Sequence, residues 1–136
     1  MAKNIKLNAT KRVAHGSGEA RRVRRAGGIP AALSRLSRET DTIQLNAHEY
    51  MMAMRNEVSD QVLVELALDG ANIHALLREV QRDVMTGEPI HADFSEVDMN
   101  KKIRASVLVR LSGEPVGVAV GGGILSQATH DLPVRC

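Results

Sequence analysis

Aromatic side chains are almost missing from this sequence: there is no tryptophan, and Tyr50 and Phe94 are the single tyrosine and phenylalanine in 136 residues. Proteins that stack successive unpaired bases need a platform of rings, so that mode of nucleic-acid binding is excluded. Cysteine is as scarce. Cys136 stands alone at the last position, which leaves no disulfide framework and no cysteine-based metal site. The five histidines, His15, His48, His74, His91 and His130, share no ligand spacing on one helix, so a histidine metal site is not expected either. No apolar run approaches the roughly 18 residues of a membrane span. The polar opening Met1-Ala2-Lys3-Asn4 lacks the apolar core of a secretory signal, and a cytoplasmic protein is expected.

What is abundant is positive charge, concentrated at one end. Ten of the 18 basic residues fall within residues 1–38 beside the single acid Glu19, a net of +9, which leaves 8 bases and 15 acids, or −7, for the remainder. Lys11, Arg12, Arg21, Arg22, Arg24 and Arg25 form the densest group. A field divided in this way steers a phosphate-rich partner to one face and repels it from the others. With stacking excluded, recognition rests on phosphate contacts, groove shape and polar side chains at base edges.

The remaining composition, 43% apolar and 25% charged, is that of a globular chain long enough for one substantial core. Ile5, Leu7 and Ala9 alternate with polar residues in the period of a half-buried strand. After a loop through His15-Gly16-Ser17-Gly18, a short basic helix is predicted from Glu19, stopped by Gly27-Gly28. Ile29 to Leu33 contains Pro30, which donates nothing to a ladder, and is therefore expected as an edge strand or an extended entry. Thr42 to Leu45 alternates again. Asn46 and Glu49 resemble a reciprocal capping pair ahead of a helix over about 47–55, whose methionines are expected to fill the core. Val62–Leu68 and Asn72–Gln81 flank the turn signal Asp69-Gly70, and further strands are predicted over 90–97 and 104–111. The expected fold is mainly β: a small closed antiparallel six-stranded barrel with two or three short helices over residues 1–98. Residues 99–136 are expected to form a linker and the incomplete start of a second β domain. The run Gly121-Gly122-Gly123 lacks the Gly-Lys-Ser/Thr of a phosphate loop and reads as linker.

Two stretches carry a family resemblance. Gly18-Glu19-Ala20-Arg21-Arg22-Val23-Arg24-Arg25-Ala26-Gly27-Gly28-Ile29-Pro30-Ala31 resembles the opening signature of the bacterial large-subunit ribosomal proteins that bind 5S ribosomal RNA. Arg78 to Asp83, Thr86-Gly87-Glu88-Pro89 and His91-Ala92-Asp93-Phe94 resemble its second signature. Asp98 to Lys102 and Gly113 to Val118 are similar to the bridge into the extra domain of longer, Ctc-like members related to general stress proteins. The resemblance implies a six-stranded RNA-binding barrel and, as ligand, the internal loop E region of 5S RNA, whose distorted pairing opens the minor groove. It also implies neighbouring large-subunit proteins as partners and no cofactor, membrane or small-molecule substrate.

The resemblance carries over to individual positions. Arg21, Arg22 and Arg24 match the arginines of the basic helix, and Lys11 the basic strand-end residue that meets phosphate; Arg12 belongs to the same cluster. Arginine's planar fork grips phosphate or a guanine edge bidentately. Gln81, His91 and Asp93 match a polar trio facing the RNA. Spacing alone places His91 and Asp93 on one face of a strand, with Gln81 able to stand opposite. Ser34-Arg35 stands where the family has Tyr-Gly, so Ser34 offers a hydroxyl without a ring, and Val84 stands where a proline is common. Two further readings compete: a hydrolase using His91 and Asp93, which lacks a nucleophile motif, and a stress or interaction module that meets the ribosome conditionally. The basic helix is expected to fray without RNA, because its arginines repel one another.

Overall fold

Alternation of apolar and polar residues becomes strand throughout the first hundred positions. The computed structural model describes residues 5–13, 16–57 and 61–135; Lys3, His15 and Cys136, which entered the sequence reading, lie outside them. β1 (Ile5–Lys11) buries Ile5, Leu7 and Ala9 and turns Lys6, Asn8 and Thr10 outward. α1 (Ser17–Arg25) begins two residues before Glu19 and ends as Gly27 takes a φ of 84°, the left-handed stop expected of it. β2 (Gly28–Ser34) and β3 (Thr40–Asn46) follow, then α2 (Ala47–Met54), β4 (Leu63–Leu68), β5 (Ala71–Arg82) and β6 (Pro89–Glu96). At the β4–β5 turn Asp69 and Gly70 have φ of 50° and 79°, the paired positive values a two-residue hairpin requires.

The six strands close into a barrel in the order β1-β3-β2-β6-β5-β4. Its interior is lined by alternate residues, among them Leu7, Ile29, Leu33, Ile43, Leu66, Leu77 and Phe94, each at most 1% exposed, joined by Tyr50 from α2. Antiparallel pairing holds for four ladders, but β1 pairs with β4 and β2 with β6 in parallel, which corrects the uniformly antiparallel expectation. The cause is the connection through α1. It returns the chain so that β1 and β2 run the same way on either side of β3, while the hairpins β4–β5–β6 give a second three-stranded sheet with like-directed outer strands. Joining two such halves makes the two seams alike, and here both are parallel.

Three local expectations are also revised. Pro30 does not mark an edge, since β2 lies between β3 and β6; the β6 ladder starts only at Ala31↔Ala92, one residue past the missing donor. The cap of α2 is one-sided: the Asn46 Oδ1 accepts from the amides of His48 and Glu49 at 2.9 and 3.2 Å. Glu49 does not reach back; its Oε1 accepts from the backbone and side-chain nitrogens of Asn8 at 3.2 and 3.0 Å and ties α2 to β1. The methionines divide. Helical spacing puts Ala53 and Met54 on the Tyr50 face against the core, and leaves Met51 and Met52 45% and 55% exposed.

The chain divides into two units between Lys101 and Lys102. In the second, β7 (Arg104–Leu108) pairs antiparallel with β8 (Asp131–Arg135), and α3 (Val116–Ala119) is a single turn within the glycine-rich stretch.

Leu66, fully buried, sits at the heart of the barrel; Leu66→Ala is expected to cost about 2–5 kcal/mol in urea unfolding through lost contact and the cavity left. At Gly28 an added Cβ would lie 2.8 Å from the Val23 Cγ1 and 3.1 Å from the Val23 carbonyl. Gly28→Ala is therefore expected to destabilise by about 1–3 kcal/mol, with Val23→Ala recovering part of it in the double variant, as read by the same unfolding curves.

Candidate nucleic-acid interface

Helix α1 buries no residue completely, and only one side of it is committed to the barrel. Val23, half-buried, packs over Gly28, where the absence of a side chain allows the approach. At about 100° per residue, Arg21 and Arg25 point almost directly away from Val23, with Arg24 on one flank and Arg22 on the other. All four are exposed. The self-repulsion expected of this arc is relieved at both flanks. Arg22 forms an ion pair with Glu19 one turn earlier, and the Arg24 Nε donates to the Ile90 carbonyl of β6 at 3.0 Å. Arg21 and Arg25 remain turned to solvent, and Arg25 joins the candidates that the sequence had nominated.

The strands beneath present a polar outer face whose rows follow from the registers. One row runs Thr10 and Gln44, passes over the buried Pro30, and continues with His91 and Gln81. Pro30 stands beside His91 when the β2–β6 register is continued by one residue. A second row runs Thr42, Ala32, Asp93 and Glu79, and a third Thr40, Ser34 and Ser95. His91 Nδ1 and Asp93 Oδ1 lie 3.3 Å apart, and Gln81 is the cross-strand partner of His91, so the predicted polar trio is assembled on one surface. Ser34 is exposed at the other end of β2 from α1, and Arg35 turns to Asp41, its Nε 2.7 Å from Oδ2.

Arg12 and Lys11 part company. The Arg12 amide donates to the Thr42 carbonyl at 2.8 Å, extending the β1–β3 ladder and bringing Arg12 to the end of the second row. Its Nε and Nη1 are shielded from water without a hydrogen-bond partner, so a guanidinium at the margin of this face has unused donors. Lys11 has the opposite parity. It pairs with Asp69 of the β4–β5 turn at 3.8 Å, across the β1/β4 seam and off the polar face.

Sequence reasoning missed Glu79. Counting alternation from Ile73, Ala75 and Leu77 would send residues 79 and 81 inward, but the register shifts between Leu77 and Glu79. Val80 then packs against the core, while Glu79 and Gln81 turn outward. A bulge decides this, and no residue in Leu77-Arg78-Glu79 announces it. Glu79 stands across from Asp93, placing two carboxylates side by side within a face rimmed by arginine, where they can accept from base amino or imino groups but repel phosphate.

Between α1 and the β1–β3 surface lies a groove of about 370 Å³, walled by Thr10, Val23, Gly28, Gln44 and Asn46. Cationic forks along one border and amide, imidazole and carboxylate groups inside are the equipment for gripping a backbone and touching base edges. They are poorly placed for hydrolysis. Ser95 is four residues along the same strand from His91, roughly 13 Å at about 3.3 Å per residue, too far for a nucleophile and its base. Among the described residues no group of three or more His, Cys, Asp or Glu side chains is gathered to hold a metal.

Residues 7–94 match the family described as Ribosomal L25p. The chain is 42% identical over 131 residues to the large ribosomal subunit protein bL25 of Geobacillus thermodenitrificans, covering 96% of this chain and 61% of that one. Against the protein of the same name from Anaeromyxobacter sp. (strain K), identity is 40% over 135 residues, covering 99% and 55%. With that of Akkermansia muciniphila it is 35% over 136 residues, covering 100% and 67%. The chain thus spans little more than half of the first two relatives' length. The extent and continuity of these matches leave one assignment: the chain belongs to the Ribosomal L25p family.

Proposed function

We propose that this protein is a structural constituent of the large ribosomal subunit in the cytoplasm, and that it binds 5S ribosomal RNA at its internal loop E region. The observation that carries the reading is the joining of two chemistries on β6. The arginine helix is bonded to Ile90, and the next outward residues, His91 and Asp93, belong to the polar face. In this reading Arg21, Arg22 and Arg25 neutralise phosphates, and Arg12, whose Nε and Nη1 are shielded without a partner, turns outward to gain one at the edge of the contact. Gln81, His91 and Asp93 meet base edges in a groove that irregular pairing has opened. Arg24 adds its remaining amino groups. Lys11 contributes at the margin only, by exchanging Asp69 for a phosphate. Regular A-form RNA would hide its major-groove edges from such a surface, so a distorted helix is the fitting target.

The names of the family and of the relatives are those of ribosomal proteins, and the hydrolase reading is set aside. Neighbouring large-subunit proteins remain the expected further partners. The division into an RNA-binding barrel over 1–98 and the start of a second β domain over 99–136 belongs to the same proposal.

Binding to 5S RNA is expected to fall with salt at a slope of about −4 to −5 in log affinity against log concentration, given roughly six phosphate contacts. It should collapse on a competitor whose internal loop is replaced by regular pairs. Equal binding to both RNAs would reduce the site to an unselective basic patch. Ser34→Tyr is expected to tighten binding about tenfold in a filter-binding titration, since an aromatic ring stacked on a base is worth about 1–3 kcal/mol.

A further inference from the structure

We infer that Arg24 is a positioning residue: its Nε takes the place of the N–H that Pro30 lacks, and so locks the arginine helix to the strand that carries His91 and Asp93.

The argument starts from the ladder. The Ala47 amide donates to the Gly27 carbonyl at 2.9 Å, and the Arg35 amide to the Glu39 carbonyl at 2.7 Å, each in the register that pairs β2 with β3. Odd-numbered residues of β2 therefore bond to β3, and even-numbered ones direct their backbone groups to β6. In a parallel ladder with Ala31 beside Ala92, residue 30 would donate to the carbonyl of residue 90. Residue 30 is proline and has no donor. The acceptor at the end of the β2–β6 ladder is thereby vacated, and it is this carbonyl that the Arg24 Nε reaches at 3.0 Å.

Two features make the bond a lock. α1 has no fully buried residue, and among the described residues Val23 over Gly28 and the chain that enters β2 join Arg24 in holding it to the barrel. Ile90 adjoins His91, so a bond to its carbonyl sets the arginine arc against the polar trio within one residue. The guanidinium keeps its two amino groups after spending Nε, and the charge stays available. Proline at position 30 thus opens the acceptor, and arginine at position 24 closes it from outside the sheet.

The RNA part of this inference rests on the function proposed above; the tether itself does not. The test uses the full chain with Arg24→Lys, Arg24→Ala and, as control, Arg25→Lys and Arg25→Ala. Lysine keeps the charge but puts a methylene where Nε stands. Amide exchange in residues 17–25 and the Val23–Gly28 nuclear Overhauser contact are read without RNA, and binding to 5S RNA is read separately. Expected are protected α1 amides in the unsubstituted protein, exchange about tenfold faster in both Arg24 variants with loss of the Val23–Gly28 contact, and no change in either Arg25 variant. Arg24→Lys should then weaken RNA binding about as much as Arg24→Ala, be non-additive with His91→Ala, and weaken it more than Arg25→Lys, which loses one bidentate phosphate contact but keeps its helix in place. Unprotected α1 amides in the unsubstituted protein, or exchange unaltered by Arg24→Lys, would overturn the tether. A faster-exchanging helix with RNA affinity no lower than in Arg25→Lys would overturn its role in positioning. Failure of the unsubstituted protein to bind 5S RNA would sink the RNA reading while the exchange data still judged the tether.

Discussion

Closure of the ring at its two parallel seams fixes where every outward side chain points. A ladder without a free edge permits no slip, because moving any strand by one residue would turn its buried set to water and its polar set into the core. The rows that cross β1, β3, β2, β6 and β5 are in that sense by-products of the packing of Leu7, Ile29, Leu33, Ile43 and Phe94. The barrel is a rigid plate on which Thr10, Gln44, His91, Gln81 and Asp93 hold fixed spacings. The RNA contact proposed for this surface would need fixed spacing more than reach.

On that plate the charges are arranged by sign. Positive groups lie on α1 and at the end of β1, and those of α1 are exposed. The carboxylates of Asp93 and Glu79 lie inside the polar face, where phosphate would be repelled and a base donor accepted. Several of the cations are already answered within the protein: Arg22 by Glu19, Arg35 by Asp41 and Lys11 by Asp69. The Arg22 and Lys11 pairs, whose cations are exposed, are weak and exchange readily, whereas Arg35–Asp41 is half-buried. They hold the side chains near one geometry without preventing them from transferring to a stronger anion.

Much of this was legible from residue order. Strand and turn positions followed from alternation and from Asp69-Gly70, the basic helix from its arginines and Gly27, and the His91–Asp93 pair from a spacing of two. The errors share a cause. Pro30 looked like an edge because its missing donor was visible, while Arg24, the compensating donor six residues earlier, came near it only when the helix folded back. Met51 and Met52 looked like core because hydrophobicity shows in sequence, whereas the face of α2 that meets the barrel is set by Tyr50. Glu49 fitted a local cap, yet Asn8, forty-one residues away, offered two donors instead of one. In each case a local rule lost to a long-range partner.

The sequence by itself determined the elements, the polarity of the molecule and the residue types available for contact, because these depend on neighbours within a few positions: period two for strands, arginine density for the helix, positive φ for the turns. Tertiary structure decided which of those residues share a surface. Gln81 faces the same way as His91 only because the ladder bulges between Leu77 and Glu79; Lys11, on the parity of buried Ile5, Leu7 and Ala9, escapes the core only because β1 ends at the barrel rim, where it meets Asp69; Arg24 meets Ile90 because a proline vacates its carbonyl. Registers and bulges are settled by the requirement that a closed ring bury one set of side chains and satisfy its backbone groups, and that requirement has no expression in any short stretch of the chain.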